Sequence, residues 1–167
     1  MSAERTVVVD HDRLQRKLSR IAHQLHEEHH LEKSIVLIGI APRGNQLAER
    51  LALLLRSIST LTVEVMEVTL DKNDPMNKPF HLSGDEGKLN KATVVLVDDV
   101  LESGRTLMHA AAHLVKHPLK RLNTVVLVDR RHRTFPIRAD IVGLTLSTTL
   151  QERIHVELGK KDGVYLD

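Results

Sequence analysis

Apolar residues in this chain recur in two rhythms that take turns along its length. Between about Asp12 and His30, Leu14, Leu18, Ile21 and Leu25 fall three and four positions apart, the spacing of one helix face. Arg13, Lys17, Arg20, Glu27 and Glu28 lie off that face, as a solvated surface requires, and Asp10 is placed to cap the helix. A short strand is predicted before it, over Thr6 to Val9. Ser34 to Ile40 (SIVLIGI) is almost wholly apolar and suits a central strand covered on both faces. It leads through Ala41-Pro42-Arg43-Gly44 into a helix over about Asn45 to Arg56, with Leu47, Leu51 and Leu54 or Leu55 inward. Leu61 to Leu70 is β-branched, and Ala92 to Val97 and Thr124 to Val128 read as further buried strands. A helix is predicted over about Arg105 to Lys116, with short extended pieces at Ile141-Val142 and Ile154-His155-Val156. The tail carries Val164-Tyr165-Leu166 without an assigned element.

Strands alternating with helices predict an α/β domain with a mostly parallel central sheet flanked by helices. No repeat or interdomain linker divides residues 1–167, so one domain is expected. Asp71 to Asn90 breaks the rhythm. It holds Pro75, Pro79, Gly84 and Gly87, and its length points to either a functional lid or a small excursion.

Composition narrows the chemistry. Aromatic residues make up 2% of the chain, too few for the stacking platforms of single-stranded nucleic-acid binders. The absence of cysteine excludes disulfides, thiol catalysis and thiolate metal sites. No apolar run is long enough to span a membrane, and the polar start Met1-Ser2-Ala3-Glu4-Arg5 does not lead into a signal-peptide core, so a cytoplasmic location is expected. The net charge of +2 is too small to imply nucleic acid by itself. The basic residues cluster, however: Lys116, Lys120, Arg121, Arg130, Arg131, Arg133 and Arg138 face Asp129 alone over that stretch.

The strongest chemical signal is Val97-Asp98-Asp99-Val100-Leu101-Glu102-Ser103-Gly104-Arg105-Thr106. A buried strand delivers two carboxylates to its C-terminal end, where open α/β sheets bind ligands. Adjacent buried acids are unfavourable unless a hydroxyl-rich ligand or a divalent cation compensates them. The Ser103-Gly104-Arg105-Thr106 turn at a helix start can aim N–H groups and hydroxyls at a phosphate. The spacing fits neither a P-loop nor a dinucleotide fingerprint.

Val94 to Thr106, VVLVDDVLESGRT, resembles the phosphoribosyl-pyrophosphate (PRPP) motif of type I phosphoribosyltransferases. Ile38 to Gly44 resembles the pyrophosphate loop of that family, and Leu127 to Gly143 is similar to its uracil-using branch that attenuates pyrimidine operons. Arg20 to His23 and Glu67 to Leu70 fit the same branch, so the likeness covers roughly residues 5–158. The resemblance implies transfer of the 5-phosphoribosyl group of PRPP to a nucleobase, with uracil favoured, giving UMP and pyrophosphate. Asp98 and Asp99 would then engage the ribose hydroxyls directly or through Mg²⁺, and Glu102 to Thr106 would seat the 5-phosphate. Ala41, Pro42, Arg43 and Gly44 would hold pyrophosphate, with Arg43 neutralising it. Ile141, Val142 and Gly143 would read the base under a hood within residues 129–158, and the segment 71–90 would close as a flexible loop. Relatives often hold a cis peptide in the pyrophosphate loop, and proline lowers that cost at Ala41–Pro42.

Two departures bear on the acceptor. Glu102 replaces the tyrosine of that branch and resembles the aspartate of purine-using relatives, so it would accept a proton from a base nitrogen or hold a water. Leu144 and Thr145 replace a lysine and an asparagine. A purine acceptor is therefore one alternative. The other is an RNA-binding regulator of pyrimidine genes, contacting an mRNA leader through Arg130 to Arg138 and the basic face of the first helix. A homo-oligomer, dimer or tetramer, is the expected assembly. His109, His113 and His117 recur every four residues and are read as a solvated helix face, and His29-His30 as cationic partners of a helix C-terminus.

Overall fold

A computed structural model of the chain describes residues 4–167; the polar start Met1-Ser2-Ala3 lies outside the described residues. The order is β1 (Thr6–Val9), α1 (His11–His29), β2 (Ser34–Ile40), α2 (Arg43–Ile58), β3 (Thr62–Thr69), β4 (His81–Leu82), β5 (Thr93–Leu101), α3 (Arg105–Leu114), β6 (Arg121–Asp129), β7 (Ile141–Thr145), β8 (Ile154–Glu157) and β9 (Gly163–Leu166). Six strands form the main sheet in the order β4-β3-β2-β5-β6-β7. All its pairings are parallel except β3 with β4. A separate antiparallel sheet, β1-β9-β8, forms the hood. This is the mostly parallel α/β architecture that the alternating rhythm predicts, and it carries the hood that the resemblance implies.

Alternation along the central strands builds two cores. Ile35 and Leu37 of β2 join Val95 and Val97 of β5 on one face, under Leu14, Leu18 and Leu25 of α1 and Leu47 and Leu51 of α2. Val36, Ile38, Val94 and Leu96 point the other way and pack with Leu107 and Leu114 of α3. Each such side chain, fully buried, stabilises the fold by roughly 1.5–3 kcal/mol relative to exposure. Asp10 caps α1 as expected, its carboxylate accepting from the Arg13 N–H at 2.9 Å.

Boundaries differ where backbone pairing outruns side-chain pattern. β5 continues through both acids to Leu101, because Asp98, Val100 and Leu101 keep their register with Val126, Val128 and Asp129 of β6. Residues 81–89 return to the molecule: Leu82 pairs with Val68, and a 3₁₀ turn over Glu86–Leu89 buries Leu89. β9 is an element with no sequence signal of its own, held by pairing with β1 and β8. Among the described residues, no helix is long and apolar enough to cross a membrane.

His29 departs from its expected role. It is 1% exposed, and neither ring nitrogen has a hydrogen-bond partner among the described residues. Burial, reinforced by the charge of Arg121, holds its pKa below the ordinary histidine value. The native state thus carries a neutral ring, while the unfolded chain takes up a proton below about pH 6.5. Stability falls as pH drops through that value towards the depressed native one. His29→Leu is expected to flatten this loss between pH 6.5 and 5, and to add about 1 kcal/mol at pH 7 by removing unpaired polar atoms. Urea melts of the two proteins across that range check it; parallel curves would refute the assignment.

Candidate active site

Asp98 and Asp99 lie near the C-terminal end of β5, a central strand of the main sheet, and are 4% and 7% exposed. The Asp99 N–H donates to Asp98 Oδ1 at 2.9 Å. Burial, then the neighbouring Asp99 charge, pushes the Asp98 carboxyl well above the usual carboxylate range, while Lys72 opposes the shift. The start of α2 lies against this point. A Cβ on Gly44 would stand 2.6 Å from the Val97 carbonyl oxygen and 3.1 Å from Asp98 Cα, so only glycine permits the approach. The Ala41–Pro42 peptide is cis, and the Ala41 N–H donates to the Val68 carbonyl at 2.8 Å. Arg43 follows at the first position of α2.

The loop after β5 turns at Gly104, whose φ of 86° is the left-handed conformation that favours glycine. Its carbonyls are held from the other side: the N–H groups of Thr134 and Phe135 donate to the Ser103 oxygen at 2.9 and 3.0 Å. Ser103 Oγ accepts from the Arg105 N–H at 3.2 Å. The following helix start leaves N–H groups free for an anion.

A cavity of about 660 Å³ runs along these elements. Arg43, Asp98, Asp99, Glu102, Ser103, Gly104, Arg105 and Thr106 all line it, joined by Lys72. Ala41, Pro42 and Gly44 are outside the lining, in the turn that carries Arg43. The expected base readers are displaced. Ile141 and Gly143 are buried inside β7, and the carbonyls of Val142 and Gly143 accept from Arg20 Nη2 at 3.0 and 2.7 Å, so they are turned to α1 and not to the cavity. The wall opposite the phosphate loop is made by Leu150, Glu152, Arg153, Ile154 and His155. That hood wall has no motif in the sequence, because its position depends on the pairing of β8 with β9.

Arg130 and Arg133 are not free surface cations. The Arg130 side chain is 6% exposed and faces Glu102 Oε1 at 2.9 Å. It also donates to Thr148 Oγ1 and to the carbonyls of Thr149 and Glu152. Arg133 donates to the carbonyls of Ile137 and Glu102 and pairs with Asp129 at 2.7 Å. Arg133 also holds the Asp129 carboxyl below the usual range against the opposing effect of burial. The histidine face of α3 is likewise half-buried: His113 stacks on Phe80 at 4.2 Å and His109 meets Phe135 edge-on.

Sheet order, paired acids and glycine turn define a phosphoribosyltransferase. Residues 5–160 match the phosphoribosyl transferase domain, and the chain belongs to that family of pentosyltransferases. Within it the chain is similar over most of its length to proteins named PyrR. It is 37% identical over 166 residues to the "Bifunctional protein PyrR" of Haemophilus ducreyi, covering 95% of this chain and 92% of that one. With the protein of the same name from Alkaliphilus metalliredigens it shares 39% over 174 residues, covering 96% and 93%. In fold it resembles a hypoxanthine phosphoribosyltransferase of Trypanosoma cruzi bound to IMP, with a TM-score of 0.76 at 17% identity over 87% of this chain and 73% of that one. The corresponding enzyme of Staphylococcus aureus gives 0.75 at 18%, over 86% and 79%.

Proposed function

We propose that the chain transfers the 5-phosphoribosyl group of PRPP to uracil, forming UMP and pyrophosphate. One observation carries this reading: two buried acids, a left-handed glycine turn and Arg43 all open into a single cavity. The 5-phosphate sits on Ser103 to Thr106, and Asp98 and Asp99 accept from the ribose 2- and 3-hydroxyls. Arg43 and Lys72 face the pyrophosphate. As the bond from ribose C1 to the pyrophosphate oxygen breaks, a base nitrogen forms the new bond to C1 and gives up its proton. Glu102, on the cavity wall, is the carboxylate placed to accept that proton. Negative charge grows on the leaving group, where Arg43 stabilises it. The base lies between the phosphate loop and the wall formed by residues 150–155. Closure of the segment from Asp71 to Phe80, which carries Lys72, excludes water.

Mg²⁺ fits this site in a limited way. Asp98 and Asp99 are hard oxygen donors, yet among the described residues no group of three or more His, Cys, Asp or Glu side chains forms a metal site. Asp98 and Asp99 would hold the ion, directly or through water, with oxygens of PRPP completing its ligands. When bound it supplies positive charge beside the leaving pyrophosphate.

Uracil, hypoxanthine, guanine, xanthine and orotate are to be incubated with PRPP and Mg²⁺ and nucleotide formation followed. UMP is the expected product. Formation of IMP or GMP instead would assign Glu102 to a purine acceptor, and no turnover with any base would reject the enzymatic reading.

A second reading, RNA binding, has its own observation. Arg13, Arg16, Lys17 and Arg20 alone line a shallow depression on α1. Burial, then the charges of Arg20 and Arg13, lowers the Lys17 pKa. Such a cluster favours a polyanion, and relatives bear the name bifunctional. Arg20 is held by the carbonyls of Val142 and Gly143, which leaves Arg13, Arg16 and Lys17. Within the segment 130–138, Arg130 and Arg133 are occupied internally, whereas Arg131 and Arg138 are exposed. Binding to the operon's own leader RNA is expected to weaken with salt, the log–log slope changing by about one unit when Arg16→Ala removes a phosphate contact. An unchanged slope would take this surface out of the RNA interface.

A further inference from the structure

Arg130 stands between the two walls of the cavity, and its contacts divide between them. Towards the phosphate loop, its Nη1 pairs with Glu102 Oε1 at 2.9 Å, and its own N–H donates to the Leu101 carbonyl at 2.9 Å. Towards the hood, Nε donates to Thr148 Oγ1 at 2.9 Å, and Nη2 donates to the carbonyls of Thr149 at 3.1 Å and Glu152 at 2.7 Å. A guanidinium is a rigid planar fork, so a shift at one end is transmitted to the donors at the other. Among the described residues, Glu102 is the one carboxylate in a salt bridge with this nearly buried cation. Removing that charge leaves Arg130 without its counter-ion, and the fork is no longer fixed against the phosphate loop.

Glu102 itself sits one residue before Ser103, in the loop assigned to the 5-phosphate. Thr149 and Glu152 flank Leu150, which is 86% exposed and lines the opposite side of the same cavity. Among the described residues, the other side-chain hydrogen bond from the segment 130–135 to this part of the hood is His132 Nε2 with the Thr148 carbonyl at 2.8 Å.

We propose that Arg130 is a positioning residue, paired with Glu102, which carries the ordering of the phosphate loop across to residues 148–152 and so assembles the acceptor wall when PRPP binds. The two substrates are then coupled: occupation of the phosphate seat raises affinity for the base. A coupling of about tenfold lies within the usual range. The proposal rests on the phosphate seat assigned above, and its test separates the two.

Hydrogen exchange is to be followed in the full chain with and without ribose 5-phosphate, which fills the phosphate seat but supplies neither base nor leaving group. Slowed exchange is expected at residues 103–107 and also at 146–152. In Glu102→Gln, which keeps the shape of an exposed side chain, protection at 103–107 is retained and that at 146–152 is lost. Arg130→Lys, which keeps the charge but not the fork, is expected to behave likewise. In turnover assays Arg130→Lys shows a KM for the base raised about tenfold with the KM for PRPP little changed, whereas Glu102→Gln, which also removes the carboxylate assigned to accept the base proton, lowers kcat as well. Protection of 103–107 without 146–152 in the native chain would overturn the coupling and leave the phosphate seat standing. Protection of both segments in both variants would overturn the Arg130 route. Absence of protection at 103–107 in the native chain would remove the seat and the coupling together.

Discussion

Asp98→Asn is expected to lose nearly all activity and yet to melt at a higher temperature than the native chain. The substitution keeps an oxygen that can accept the Asp99 N–H, so the local backbone bond survives. It removes one of two adjacent carboxylates that are 4% and 7% exposed, and with it their mutual repulsion in a desolvated place. A gain of about 1–2 kcal/mol would raise Tm by about 2–8 °C for a chain of this size. Function moves the opposite way. A bond between a charged group and a substrate hydroxyl is worth about 1.5–3 kcal/mol, so kcat/KM for PRPP should fall about 10–10²-fold. Calorimetry and a PRPP-dependent assay on one preparation test both halves. Retained activity would show that Asp98 does not meet substrate, and a lower Tm would show that the buried pair is not repulsive.

Gly44→Ala should damage stability and catalysis together. Its new methyl would lie 2.6 Å from the Val97 carbonyl oxygen and 3.2 Å from the Asp98 carboxylate. The first obstacle is backbone in a central strand and cannot rotate away. The start of α2 must therefore retreat from β5, taking Arg43 with it. Overpacking of this kind costs about 3 kcal/mol, or about 6–12 °C in Tm. Displacing a charge-stabilising group by about 1 Å lowers kcat about 10²-fold. Gly159→Ala is the matched control, since a Cβ there meets nothing within 4 Å. Equal behaviour of the two variants would dismiss the close approach as a cause.

These two residues also show what a linear sequence discloses. Asp98 and Asp99 were legible because an apolar strand ending in two acids is unusual in itself, and the glycine turn follows within a few positions. Gly44 was legible only through the family's loop, since nothing in the sequence says that α2 will press on β5. The surroundings of Ile141 to Gly143, expected to read the base, were illegible for a related reason. A strand's apolar pattern reveals that it is buried, but not that Arg20, more than a hundred positions earlier, will take the carbonyls of Val142 and Gly143. Arg130 and Arg133 misled in the same manner: a run of cations looks like surface until its acceptors, Thr148, Thr149, Glu152 and Ile137, are brought beside it. The long segment after Leu70 was legible as an interruption, whereas the return of Leu82 to the sheet edge depended on a single antiparallel step. Local signals revealed the paired acids and the glycine turn; the cavity wall at residues 150–155 is made by contacts between distant segments.

The small sheet β1-β9-β8 sets an order on biosynthesis. β1 emerges early but finds its neighbour only when Gly163 to Leu166 has been made, and Arg5 meets Glu157 across 152 positions. Because Ile154 and His155 belong to the cavity wall, the acceptor side closes only after this late pairing. Until then the nascent chain carries a phosphate seat whose opposite wall is missing. Pairings of such long range form slowly. On the proposed assignment, the wall that would face the base thus depends on the pairing of two segments more than 150 positions apart.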